Sequence, residues 1–169
     1  VIDGRLIAID AATGKPCADF GKGGSLNIND LPNLGVGQVN FSSPPAIFED
    51  LVIVGSAIGD NVQNNMPHGI VRAFDARTGA LVWSWDPIPA ALANQTGAGN
   101  VWAPISVDAK RGLVMLPTSS PSPDYFGGER VGDNRHANSV VALRARSGEL
   151  AWQFQVVHHD LWDYDVPAQ

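Results

Sequence analysis

The chain has 169 residues and a net charge of −6, from 17 Asp and Glu against 11 Lys and Arg, with no basic stripe, which argues against a nucleic-acid surface. No run of about 18 apolar residues occurs, so no membrane-spanning helix is expected within it. The single Cys17 cannot form an internal disulfide or build a zinc site alone. Hydrophobic residues at 44 %, with 18 Gly and 12 Pro, describe a turn-rich globular chain.

From the amino terminus onward, three stretches look alike. Arg5 to Ala18 reads RLIAIDAATGKPCA, Val71 to Trp83 reads VRAFDARTGALVW, and Val140 to Trp152 reads VVALRARSGELAW. The shared pattern is Ala-x-Asp-x-x-Thr-Gly-x-x-x-Trp, met loosely in the first and third copies. Its anchors Ala8, Ala73 and Ala142 lie 65 and 69 residues apart, a period that signals one repeated supersecondary unit. In each copy an alternating apolar run predicts a strand with one buried face. The Asp-x-x-Thr-Gly that follows is turn chemistry, with side-chain oxygens bonding nearby backbone and Gly supplying a positive φ. In the second and third copies a second strand then carries a Trp able to pack between neighbouring sheets.

Two further strands are predicted ahead of the second and third copies. Ala46 to Phe48 and Leu51 to Gly55 are joined by Glu49-Asp50, while Trp102 to Val107 and Leu113 to Leu116 are joined by residues 108–112. Four antiparallel strands per unit is the blade of a β-propeller. A β-sandwich with coincidental Thr-Gly turns is the less favoured alternative, because strand and turn recur three times in order, twice with the Trp. The chain therefore reads as an all-β fragment of about two and a half blades, with units near 5–20, 44–86 and 102–155 and a connection over 156–169. Because it starts at Val1 without an initiator Met, it is expected to be part of a longer ring.

Naming the strands of a blade A to D from the inside outward, the B–C and D–A connections share one face. In this sequence those connections are the long ones: 57–68, 86–101, 118–137 and 156 onward. Long loops on one rim of a rigid ring are where function is expected. They hold four polar clusters. Gly59-Asp60-Asn61 offers a carboxylate to a metal or sugar hydroxyl, or simply forms a turn. Asn100-Val101-Trp102-Ala103-Pro104 places an aromatic at the ring mouth, either as the floor of a flat ligand or as packing. Thr118 to Asp124 is rich in hard oxygen donors suited to Ca²⁺ or Mg²⁺, or is a Pro-stiffened loop. Last, His158-His159-Asp160-Leu161-Trp162-Asp163-Tyr164-Asp165 holds three carboxylates and two imidazoles. In an extended segment Asp163 and Asp165 point to one side, a costly pair unless a cation or proton sits between them. A zinc reading of this cluster is weak, because adjacent His158 and His159 do not readily share one ion.

Taken together, the Trp-bearing blades, Gly-Ser-x-x-x-Asp-Asn (Gly55 to Asn61), Asn-x-Trp-Ala-Pro and His-His-Asp-Leu-Trp-Asp-x-Asp-x-Pro-Ala-Gln resemble the pyrroloquinoline quinone (PQQ) dehydrogenases. The resemblance is strongest to the membrane-bound glucose and quinate dehydrogenase branch. It implies an eight-bladed propeller with PQQ and a divalent metal at the centre of one face, and oxidation of a sugar or polyol with ubiquinone as electron acceptor. By this resemblance Asp163 matches the catalytic base, Asp60 a metal ligand, and Trp102, beside Asn100, the ring on which the quinone stacks. Asp163 also belongs to the implied metal set, whose third ligand falls on Ser120 or Ser122; Asp165 and His159 are possible additions. The metal is expected to be Ca²⁺ or Mg²⁺, and Asp165 matches a position that is also acidic in lanthanide-using relatives. A site on the periplasmic face of the bacterial inner membrane, anchored by segments outside this chain, follows from the same resemblance. So does a catalytic-site Lys or Arg beyond Gln169. A non-catalytic propeller scaffold with PQQ-like repeats is the alternative. A calcium-dependent sugar hydrolase or lyase is a third reading, requiring a second acid at carboxylate-pair distance.

Overall fold

A computed structural model describes residues 3–33, 35–59 and 61–167. Its described strands form three antiparallel sheets, two of them four-stranded. β1 (Arg5–Ile7) pairs with β2 (Ser25–Asn27). β3 (Ala46–Phe48), β4 (Leu51–Val54), β5 (Val71–Asp75) and β6 (Leu81–Trp85) make the second sheet in simple up-and-down order. β7 (Ser106–Asp108), β8 (Leu113–Pro117), β9 (Ser139–Arg144) and β10 (Leu150–Gln155) make the third in the same order.

The period-2 alternation of each strand decides what lies between sheets. On β4, Leu51 and Ile53 point toward the β7–β10 sheet and join a core with Val71, Ala73, Trp83, Val114, Leu116, Val141 and Leu143. Val52 and Val54 point the other way, into a second core with Ile28, Val39, Met66 and Phe74 beside the β1–β2 unit. A sheet sandwiched face-on between two neighbours, with the innermost strands β3 and β7 against each other, is blade packing.

The predicted turns recur as expected. Gly14, Gly79 and Gly148 each have φ near 70° (69°, 71° and 72°) and donate their N–H to the carbonyl oxygens of Asp10, Asp75 and Arg144. In the first two copies the Thr hydroxyl and N–H both bond the Asp carboxylate within 2.8 Å. The third copy has Arg144 in place of Asp and keeps the backbone bonds, while its Ser147 hydroxyl donates to Glu149 Oε2 at 3.2 Å instead. Trp83 reaches across to the next blade, donating from Nε1 to the Ala145 carbonyl at 2.9 Å. Gly148 makes this possible, since a Cβ there would meet the Trp83 ring at 2.7 Å.

Two expectations need correction. The third unit's inner strand begins at Ser106 rather than Trp102, because Pro104, which has no N–H to give a ladder, interrupts the segment ahead of it. In the first unit the second strand is broken. Ile9 bridges Pro16, the chain then loops out, and pairing resumes at Ser25–Asn27. Cys17 falls near the place of the repeat's Trp, and Phe20, 2 % exposed, packs at the Gly79 turn instead.

Candidate functional site

The long connections do gather on one rim, and their backbones are bonded to one another. Residues 97–101 thread between the 66–70 and 119–122 segments: Gly69 N–H donates to the Ala98 carbonyl at 2.9 Å, Gly99 N–H to Ser120 at 3.0 Å, and Ser119 N–H to Asn100 at 2.9 Å. The approach is so close that a Cβ on Gly69 would lie 2.2 Å from the Asn100 Cα. This packing leaves a cleft of about 250 Å³. Its walls include Asn100 and Trp102 from one connection, Ser119, Ser120 and Asp124 from another, and Asp163 and Asp165 from the last.

Trp102 is half-buried and held at both ends. Its backbone carbonyl accepts hydrogen bonds from the Ser42 and Ser43 hydroxyls, and its indole Nε1–H donates to Asp165 Oδ2 at 2.8 Å. Asp165 Oδ1 accepts the Ser120 N–H at 2.9 Å. Burial pushes the Asp165 carboxyl above its ordinary value, and the neighbouring charges of Asp163 and Asp160 act the same way against the two hydrogen bonds. Additional positive charge is therefore favoured here.

Asp163 is exposed to the cleft, with the Tyr125 hydroxyl donating to its Oδ2 at 3.3 Å. It shares the cleft with Asp165 as expected, but for a different reason. The segment is not extended: Asp163 has φ 60°, a conformation disfavoured for a non-Gly residue, and must be held there by its surroundings. The holder is Asp160. This carboxylate is 0 % exposed, accepting the Trp162 N–H at 3.1 Å and the Tyr164 N–H at 2.6 Å, on either side of Asp163. Ser120 Oγ at 2.7 Å and Asn138 Nδ2 at 3.2 Å complete its shell. Burial pushes the Asp160 carboxyl up, but these hydrogen bonds, led by the Tyr164 N–H, outweigh it and hold the group below its ordinary value. The fully buried Arg130 guanidinium donates to the carbonyls of Pro123, Asp124 and Asp160 and so ties the two loops together.

The other predicted residues divide. Asn100 lines the cleft, though its amide is engaged by the Ser56 carbonyl and the Ser119 hydroxyl. Ser120 lines it too, with Oγ donating to Asp160 and accepting from Asn138. Ser122 is buried, donates to the Gln63 carbonyl at 2.9 Å and is not among the lining residues. His159 turns away to the Gly132 carbonyl at 2.8 Å. Asp60 lies outside the described residues. Sequence reasoning missed Asp124, a wall of the cleft, and the organising role of Asp160, although both stand inside clusters it had singled out.

A flat indole beside hard carboxylate and hydroxyl oxygens fits a planar ring with a hard cation at its edge. Among the described residues, no three His, Cys, Asp or Glu side chains converge closely enough to hold a metal by themselves. No helix among them is long and apolar enough to cross a membrane.

The stacked four-stranded antiparallel sheets define consecutive blades of a β-propeller, with this cleft on one rim. The family described as PQQ: glucose/ethanol/alcohol dehydrogenase, β-propeller domain, matches residues 1–169, and the chain belongs to that family. Within it, quinoprotein glucose dehydrogenase A of Acinetobacter calcoaceticus is 41 % identical, over 100 % of this chain and 22 % of its own length. Quinate/shikimate dehydrogenase (quinone) of Acinetobacter baylyi is 38 % identical, over 99 % and 22 %. The chain thus spans about a fifth of the length of these curated relatives. Among solved structures, the quinohemoprotein alcohol dehydrogenase of Comamonas testosteroni superposes with a TM-score of 0.79 at 28 % identity, covering 98 % of this chain and 26 % of that one.

Proposed function

We propose that a protein containing this chain is a quinoprotein oxidoreductase that oxidises a hydroxyl of a sugar or polyol, of the glucose or quinate type. The observation that carries the reading is one cleft faced by the Trp102 ring and by the Asp163 and Asp165 carboxylates, which come from distant parts of the sequence. PQQ, when bound, supplies a hydride-accepting quinone, and Ca²⁺ or Mg²⁺ supplies a Lewis acid that strengthens it. Trp102 provides the face on which the planar ring rests, next to Asn100. Asp163, with Asp60 and with Ser120, which lines the cleft where Ser122 does not, would hold the cation. Asp163 also takes the substrate hydroxyl proton on a carboxylate oxygen, steadied by the Tyr125 hydroxyl at Oδ2. Its left-handed backbone, pinned by Asp160, sets that oxygen in place before substrate arrives, which lowers the ordering needed for reaction. Ubiquinone as electron acceptor agrees with a relative named for its use of a quinone. Action at the periplasmic face of the inner membrane rests on the resemblance to the membrane-bound branch.

The test is reconstitution of the full-length protein with PQQ and Ca²⁺ or Mg²⁺, followed by dye reduction with glucose and with quinate. Wild type takes up the quinone and reduces dye. Asp163→Asn keeps the quinone absorbance and loses turnover by about 10³-fold. Near-normal turnover in that variant removes Asp163 as the base. A wild type that takes up no quinone favours the scaffold reading.

A further inference from the structure

The Asp165 side chain joins two walls of the cleft. Oδ2 accepts the Trp102 indole Nε1–H at 2.8 Å, and Oδ1 accepts the Ser120 backbone N–H at 2.9 Å. Both anchors are themselves fixed. The Trp102 carbonyl is bonded by the Ser42 and Ser43 hydroxyls, and Ser120 is held through its Oγ by Asp160 at 2.7 Å and Asn138 at 2.9 Å. An indole whose backbone is pinned still turns about its outer side-chain torsion, which is broad and has no sharp staggered wells. Nε1–H is its only hydrogen-bond donor. A carboxylate on that donor is thus the direct way to set the plane of the ring, and a charged acceptor makes the stronger bond.

We propose that Asp165 is a positioning residue for the stacking floor: it acts through the Trp102 indole, fixing the plane on which the cofactor ring rests, and is not one of the cation's ligands. The inference rests on the quinoprotein reading. It gives Asp165 a role separate from that of Asp163 two residues earlier, whose carboxylate faces the open cleft. An acidic residue at this position then reports how the aromatic floor is built and does not by itself report which ion is bound.

The full-length apoprotein tests this with Asp165→Asn, Trp102→Phe and the double variant, read in two ways. One is the PQQ dissociation constant by absorbance titration at saturating Ca²⁺. The other is the Ca²⁺, and separately La³⁺, concentration for half-maximal reconstitution at saturating PQQ. Asp165→Asn and Trp102→Phe are each expected to weaken PQQ binding about tenfold, the second although it keeps an aromatic face, because both lose the charged hydrogen bond. The double variant is expected to be no weaker than Trp102→Phe alone, within about a factor of two, since the two residues act as one unit. The metal requirement is expected to stay unchanged in Asp165→Asn. A further loss from Asp165→Asn in the Trp102→Phe background, or a raised metal requirement with PQQ affinity intact, overturns the proposal. So does wild-type PQQ affinity in Trp102→Phe, a result that does not depend on Asp165→Asn folding. A wild-type protein that binds no PQQ overturns the quinoprotein reading itself, and this inference with it.

Discussion

The β3–β6 and β7–β10 sheets have the same strand order, the same turn backbone and a Trp at the same place in the repeat, yet among the described residues only Trp83 has a following sheet to pack against. Trp83 is 7 % exposed, its indole bonded to Ala145 and its ring lying on Gly148. Trp152, the repeat equivalent, is 45 % exposed, with Phe154 beside it at 67 %. The blade sequence therefore does not make a Trp into core; the turn of the following blade does. The rim of long loops shows the opposite behaviour. There the blades donate residues that have no counterpart in the repeat, and Trp102, Ser120 and Asp165 complete one another only because three connections meet.

The comparison breaks most readily at Trp83. Trp83→Ala in the full-length protein is expected to cost about 3–5 kcal/mol of stability through the cavity it leaves. Trp152→Ala is expected to cost the same if another blade's turn covers it, and less than about 0.5 kcal/mol if it stays exposed. Paired thermal melts read the difference.

A smaller effect is expected on the loop rim at His68, which is 1 % exposed, with Nδ1 2.8 Å from Asp86 and Nε2 3.0 Å from the Ala93 carbonyl. Both partners are acceptors, so both contacts are hydrogen bonds only in the imidazolium form. Burial alone would lower the His68 pKa, but the Asp86 carboxylate and the facing backbone outweigh burial and raise it. A raised folded-state pKa means stabilisation that is complete below the unfolded value and lost as pH rises through the folded one. Melting curves of wild type and His68→Gln should thus differ most in mild acid, by about 2 kcal/mol, and converge above the raised pKa. A gap that widens with pH would contradict this.

The smallest expected effect sharpens the comparison of turns. Arg144→Asp gives the third copy the carboxylate that accepts from Thr in the first two copies, here with the Ser147 hydroxyl as the donor. The melting temperature is expected to rise by about 1 °C. No change, or a fall, would mean that the backbone bonds and the Ser147–Glu149 contact already satisfy this turn.

Much of this was legible in the residues because it depends on short-range chemistry. Alternation fixed the strands, Asp-x-x-Thr-Gly fixed the turns, and loop length alone indicated on which rim the long connections meet. The cluster from His158 to Asp165 and the Trp102 segment identified the cleft before its geometry was known. The finer assignments were not legible. Ser120 and Ser122 stand in the same Ser-Pro run, and only the fold turns one toward the cleft and the other to Gln63. Asp163 and Asp165 reach the cleft through a left-handed residue, which no alternation rule anticipates.

By itself, the sequence determined a repeating antiparallel blade and an acidic, aromatic rim, since both follow from periodicity and side-chain type within a few residues. The tertiary structure alone decided which carboxylates are buried organisers and which face the cleft. Asp160, Asp163 and Asp165 are chemically identical and lie within six residues of one another. They differ in the donors around them: at Asp160 two backbone amides of its own segment plus the Ser120 hydroxyl and the Asn138 amide, at Asp165 an indole and an amide, and at Asp163 a phenol.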